Sequence, residues 1–195
     1  MCNLKHPVIF PYFAAPEEDI AFRVNHQCYF CGEWKPCFMV FPMLHSGCMT
    51  CLLEGDFGFD HDSEWGYLTE DGFTHDYRTY QVVPEDFAPH AFQSLRRTPP
   101  FAAWHDATWL VHCNDFMHYT GRKVLRDFLE EAGSLLGAKE LFIQQAWMER
   151  LSEPAEVIWD RLMEHPETTP DHWDIRYYAF TCTHCGIVRG YFDFP

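Results

Sequence analysis

Cys28 and Cys31 are separated by two residues, as are Cys48 and Cys51, and sixteen residues lie between the two pairs. A third pair, Cys182 and Cys185, stands ten residues before the C-terminal residue. Two CxxC pairs at that spacing suit one tetrahedral Zn(II) held by four thiolates. Four soft donors leave the ion no open position, which points to a structural role rather than catalysis. The third pair is half of such a site. It needs donors from elsewhere, which would tie the end of the chain back to its middle.

The elements around these pairs must turn sharply to aim two sulfurs at one point. Cys28-Tyr29-Phe30-Cys31-Gly32 sits between apolar stretches around Val24 and over 35–41, which is the pattern of a zinc-knuckle hairpin. Gly32 fits a turn that requires positive φ. Cys48 and Cys51 fall where a short helix starts and Gly55 ends it, so that free N–H groups of its first turn favour the thiolates. Knuckle plus helix predicts a treble clef, with a two-knuckle ribbon as the alternative. Cys182-Thr183-His184-Cys185-Gly186 repeats the first knuckle between apolar runs at 175–181 and 187–194. Cys37 lies outside the pairs and reads as a small buried apolar residue.

Between these landmarks, 7–16 is Pro-rich and aromatic and reads as an extended lead-in lying on the core. Residues 56–90 are acidic and glycine-punctuated, with short strands expected at 65–68 and 79–83 and a helical turn within 84–92. The run 56–64 reads as solvated acidic surface, because its carboxylates lack calcium-loop spacing. Three helices follow: one through Val124, Leu125, Phe128 and Leu129 ending at Gly133, one over 139–151, and one capped by Ser152 with Val157, Ile158, Leu162 and Met163 on its apolar face. The expected fold is therefore α+β: zinc-knuckle hairpins packed with a C-terminal three-helix segment and a closing β-hairpin. It is read as a single domain over 1–195. A zinc-binding module spans 24–55, and a helical segment with the C-terminal knuckle spans 109–195.

The chain carries 29 acidic and 14 basic residues, a formal charge of -15. That field opposes phosphate binding and argues against nucleic acid as a partner. No stretch is apolar enough to span a membrane, and residues 1–6 lack the apolar core of a signal peptide. Metal-held thiolates in a reducing cytoplasm account for paired CxxC units better than disulfides do.

Together these marks resemble the CbrC family, an uncharacterised bacterial family associated with colicin tolerance. The matching residues are Cys28-Tyr29-Phe30-Cys31-Gly32, Cys48 and Cys51 with Gly55, Arg97-Thr98-Pro99, Trp104, Trp109, His112-Cys113-Asn114-Asp115, Cys182-Thr183-His184-Cys185-Gly186 and Arg189-Gly190-Tyr191. The family usually has Pro-Trp between the second pair of cysteines, where this chain has Met49-Thr50.

For the second site, Cys113 is the best third donor to join Cys182 and Cys185. His105, His112 and His118 compete for the fourth place. Adjacency to Cys113 argues against His112, whereas the resemblance implies it. Outside a ligand role, His112 reads as a packed residue or a general base, with Asp115 accepting its ring N–H. Arg97 is expected to be buried against a carboxylate. The leading functional reading is a cytoplasmic zinc-stabilised protein that binds a macromolecule, its acidic field selecting a basic, toxin-like protein. The alternatives are a hydrolase using water on an open second zinc site, and a redox protein using Cys182 and Cys185.

Overall fold

The computed structural model describes residues 10–21, 23–40, 45–74, 87, 89–105, 107–147, 153–165, 168–169 and 175–194. The expected strand at 79–83 and Ser152 lie outside these residues. The lead-in follows its expected course where it is described. Phe10, Tyr12 and Phe13 are buried, and Ala14 N–H donates to the Tyr119 carbonyl at 2.8 Å before a 3₁₀ turn at Glu17–Asp19.

Strands β1 (Arg23–Gln27), β2 (Trp34–Val40) and β3 (His45–Cys48) form an antiparallel sheet in chain order. Helix α1 (Met49–Glu54) continues directly from β3 and stops at Gly55, whose φ of 88° is left-handed. Strands β4 (His61–Ser63), β5 (Gly66–Thr69) and β6 (Gly72–Thr74) form a meander. Helix α2 (Pro89–Arg96) buries Ala91 and Leu95, and β7 (Thr108–Trp109) then pairs parallel to β4. The β4 segment corrects the expectation of solvated surface over 56–64. Glu64 is only 2% exposed, His61 and Ser63 are buried, and Asp62 accepts the Thr108 hydroxyl at 2.8 Å.

Strands β8 (Val111–His112) and β9 (Asp115–Phe116) form a minimal hairpin, followed by β10 (His118–Lys123). Helices α3 (Leu125–Ala132), α4 (Leu135–Gln145) and α5 (Ala155–Glu164) precede β11 (Arg176–Thr181) and β12 (Val188–Asp193). The expected closing hairpin is thus part of a three-stranded sheet in the order β10-β11-β12.

That sheet is the middle layer of the molecule. Side chains alternate across a strand. Tyr177 and Ala179 join Phe128, Phe142, Ile158 and Trp159 of the helices, while Tyr178 and Phe180 join an aromatic core with Phe101, Trp109 and Tyr119 on the other face. The Phe101 and Tyr119 rings stack at 4.2 Å, and Trp109 meets Phe101 edge-on at 5.6 Å. Both arrangements suit the ring quadrupoles.

Helix ends follow local chemistry. Gly133, at φ 71°, ends α3 as expected. Helix α4 begins earlier than the apolar pattern suggested, because the Ser134 hydroxyl caps it by accepting Gly137 N–H at 3.1 Å. Leu135 and Leu136 in its first turn are exposed, which hid that start. It also ends well short of residue 151, because Trp147 N–H leaves the helix for the Gly190 carbonyl of β12 at 2.7 Å. Pro154 occupies the N-cap position of α5. Its buried face is Ala155, Ile158, Trp159 and Leu162, an i, i+3, i+4, i+7 stripe that leaves Val157 exposed.

Two consequences can be measured. At Gly190 a Cβ would stand 2.4 Å from the Tyr177 ring, so Gly190→Ala must displace a buried aromatic. The expected loss is about 1–3 kcal/mol in urea unfolding. The second concerns His61, buried beneath α2, whose Nδ1 accepts the Trp109 indole N–H at 3.0 Å. Burial disfavours the imidazolium and brings its pKa down from 6.5 to about 3. The unfolded chain therefore takes up this proton first as pH falls, and stability drops from pH 6.5 towards 3 by about 1.4 kcal/mol per unit from this residue alone. His61→Asn, which keeps an acceptor for Trp109, is expected to remove about 2 kcal/mol of the stability change between pH 6.5 and 5. Melts of the two proteins across that range check it.

Candidate metal centres

The first centre is built by the β1–β2 turn and the β3–α1 junction. The turn closes by Gly32 N–H donating to the Cys28 carbonyl at 2.8 Å, with Gly32 at φ 76° as the knuckle requires. Cys48 ends β3 as the N-cap residue of α1, and Cys51 lies inside that helix. This is the treble-clef arrangement rather than a two-knuckle ribbon. Cys28 and Cys51 sulfurs stand 3.8 Å apart, and Cys31 and Cys48 sulfurs 3.9 Å. A tetrahedral Zn(II) with its usual bond lengths to sulfur separates its ligands by about 3.8 Å. The four sulfurs together could hold one such ion. Gly47 is required beside them, since a Cβ there would fall 2.2 Å from the Phe57 ring. Cys37 is buried beside this set as expected, and its thiol donates to the His26 carbonyl at 3.5 Å.

Protons are unequally held among these thiols. Burial pushes the Cys28 thiol up, but backbone N–H groups of Cys31, Cys48 and Phe30 outweigh it and bring the pKa down to about 6. Cys51 is pushed the other way by burial and by its hydrogen bonds to neighbouring thiols. Backbone N–H groups thus favour the Cys28 thiolate, while burial keeps the proton on Cys51. A dication is the counter-charge that would let the rest ionise.

The second centre joins two hairpin tips. The β11–β12 turn copies the first knuckle, with Gly186 at φ 76° and its N–H on the Cys182 carbonyl at 2.8 Å. Opposite it stands the β8–β9 turn, in which Cys113 and Asn114 both have positive φ, at 51° and 56°. A two-residue turn of that hand is what a tight hairpin needs. It also resolves the objection to adjacent donors, because the reversal at Cys113 turns its side chain back beside that of His112. His112 Nδ1 lies 3.1 Å from the Cys113 sulfur and 3.3 Å from the Cys185 sulfur, slightly inside the about 3.6 Å that a tetrahedral ion sets between nitrogen and sulfur. His112, Cys113, Cys182 and Cys185 form a four-donor set that could hold one Zn(II). His105 instead pairs with Asp193 at 3.6 Å, and His118 packs against the Tyr12 ring. Neither belongs to the set.

Thiol chemistry here is again divided. Cys113 is pushed up to about 11, first by its hydrogen bond to Cys185, while the Ile187 N–H draws Cys185 down.

Asp115, Arg189 and Glu64 hold this centre through contacts that the sequence did not indicate. Asp115 does not orient His112, as had been expected. Its Oδ1 accepts the Tyr12 hydroxyl at 2.7 Å, and its Oδ2 lies 2.9 Å from His184 Nε2. It therefore fastens the lead-in, the β8–β9 hairpin and the knuckle together. Arg189, at the root of the knuckle, donates to both Glu64 oxygens at 2.9 and 3.1 Å and to the Val111 carbonyl at 2.8 Å. Glu64 also accepts Val111 N–H. The buried cation–carboxylate pair expected at Arg97 is thus made by Arg189, and Arg97 itself is exposed beside Gly55. These contacts also explain the Arg189-Gly190-Tyr191 motif. Arg189 binds Glu64, Gly190 makes room for Tyr177, and the Tyr191 hydroxyl accepts Thr108 N–H at 2.9 Å.

Residues 8–194 match an uncharacterised protein family, UPF0167. The chain belongs to UPF0167, the CbrC family. No solved structure matches it. The two candidate centres thus lie within the segment that defines a UPF0167 member. Zn(II) in either would supply charge neutralisation and a rigid cross-link, and the residues around it would set which segments are joined. No helix of the described residues is long and apolar enough to cross a membrane.

Proposed function

We propose that this UPF0167 protein is a cytoplasmic zinc-stabilised binding protein whose partner is a basic macromolecule of the kind presented by a cationic protein toxin. Cys28, Cys31, Cys48 and Cys51 ligate one Zn(II), and His112, Cys113, Cys182 and Cys185 a second. The observation that carries the reading is the set of rings on the outside of the first knuckle. Tyr29 is 64% exposed and Trp34 73%, each stacked on a histidine, His45 at 3.9 Å and His26 at 5.9 Å. Rigid exposed rings on a firm support are the usual anchors of a protein interface. The charge of -15 would steer a cationic partner towards the molecule.

A hydrolase is the weaker alternative, because each centre already offers four protein donors and a zinc-bound water needs a vacant position. Titration calorimetry against cationic nuclease domains at 50 and 500 mM salt tests the proposal. Micromolar binding at low salt, weakened at least tenfold at high salt and lost in Tyr29→Ala/Trp34→Ala, is expected. Absence of binding at low salt contradicts it.

A further inference from the structure

Away from both centres, a groove of about 590 Å³ opens between the 3₁₀ turn, the Trp104 loop, the end of β10 and the start of β11. That volume is within the usual range for small-molecule sites. Its charge runs against that of the molecule as a whole. Arg122, Lys123 and Arg176 line it, against Glu18 and Asp19.

The cations are not equivalent. Arg122 donates through Nε and Nη2 to Asp19 Oδ1 at 3.0 and 2.7 Å, and the Tyr119 hydroxyl donates to Oδ2 at 3.1 Å, so this buried carboxylate is neutralised within the wall. Lys123 is held by Glu131 at 2.6 Å. Arg176 has no carboxylate partner among the described residues. Its guanidinium lies 4.4 Å over the Trp104 ring. Trp104 is 38% exposed, and its backbone N–H is fixed on the Tyr178 hydroxyl at 3.0 Å. The guanidinium also meets the Tyr178 hydroxyl, which leaves its remaining donors for an oxyanion, and the exposed indole offers surface for a planar group. Gly121, at φ 121°, stands at the register shift of β10, where the left-handed backbone requires glycine, and it lines the groove with bare backbone.

We propose that this groove binds a small planar organic anion, an aromatic ring bearing a carboxylate or phosphate group, with Arg176 taking the anion and Trp104 the ring. The global negative charge does not forbid it, because at physiological salt charges beyond about 8 Å are largely screened.

The test is calorimetric titration of the full chain with benzoate, phenyl phosphate, neutral benzamide and inorganic phosphate. Either aromatic anion is expected to bind with a Kd on the order of 1 mM or tighter. Benzamide and inorganic phosphate should each bind at least about tenfold more weakly, because each lacks one of the two contacts. Arg176→Gln and Trp104→Ala should each weaken the aromatic anion about tenfold or more, while Arg161→Gln on the far α5 surface leaves it unchanged. Melting temperatures establish that the variants fold. The proposal is overturned if neither aromatic anion binds at 10 mM, roughly tenfold above that Kd. It is equally overturned if benzamide or inorganic phosphate binds as tightly as the aromatic anions, or if the folded Arg176 and Trp104 variants bind unchanged.

Discussion

Cys182→Ser is expected to reduce the zinc content from two ions per chain to one and to lower the melting temperature by more than about 10 °C. Binding of a structural zinc is worth on the order of 10 kcal/mol, comparable to the entire stability of a domain. Even half of that would shift the melting point by about 10–20 °C for a chain of this size. The second centre is the junction at which the β11–β12 knuckle meets the β8–β9 hairpin, so its loss should be felt there first. Hydrogen exchange should rise in β8, β9, β11 and β12, while the helical core of Phe128, Phe142 and Ile158 holds longer. Cys28→Ser should give the complementary pattern. Exchange would rise across β1, β2, β3 and α1, with the second ion retained. Unchanged exchange in β8 and β9 on losing Cys182 would show that the junction does not depend on metal.

The second large effect is expected at Glu64. Its carboxylate is 2% exposed on the side chain and neutralises Arg189, which is itself only 24% exposed. Removing one charge of a buried pair strands the other, at a cost of about 3–5 kcal/mol. Glu64→Gln should therefore lose about that much in urea unfolding, as should Arg189→Met. The double variant Glu64→Gln/Arg189→Met should be more stable than the sum of the single losses by at least about 1 kcal/mol, because no isolated charge remains. It should not return to the parent, since the Val111 carbonyl loses its Arg189 donor in the same step. The pair also sets the distance between β12 and the segment that presents His112. Zinc affinity at the second centre is expected to fall about tenfold or more in Glu64→Gln. Strictly additive losses, or an unchanged zinc affinity, would show that the pair is peripheral to the centre.

What could be read in the chain and what could not divides along the range of the interactions. Knuckles are local devices. Two cysteines, a glycine at positive φ and flanking apolar runs lie within about twenty residues of chain, and both knuckles and the α1 start take the form their sequences imply. Gly133 as a helix end was legible for the same reason. Donors that meet across the fold were harder. His112 followed only from resemblance, because its approach depends on two successive left-handed residues, Cys113 and Asn114, where no glycine signals the turn. Glu64 was hidden among exposed-looking acids, because its partner Arg189 is 125 residues away. The end of α4 was set by the edge of β12 capturing Trp147 N–H, a tertiary event that no helical periodicity announces. Arg97 shows the converse. An arginine in a distinctive motif suggested burial, while the guanidinium that meets a buried carboxylate belonged to another motif.

The most direct measurement is zinc per chain in the reduced, purified protein, by native and elemental mass spectrometry, with melts before and after removal by a strong chelator. Two ions per chain are predicted, together with a large fall in melting temperature on their removal and recovery when Zn(II) is returned. A chain that carries no tightly held metal, or that melts at the same temperature with and without the chelator, would contradict the account.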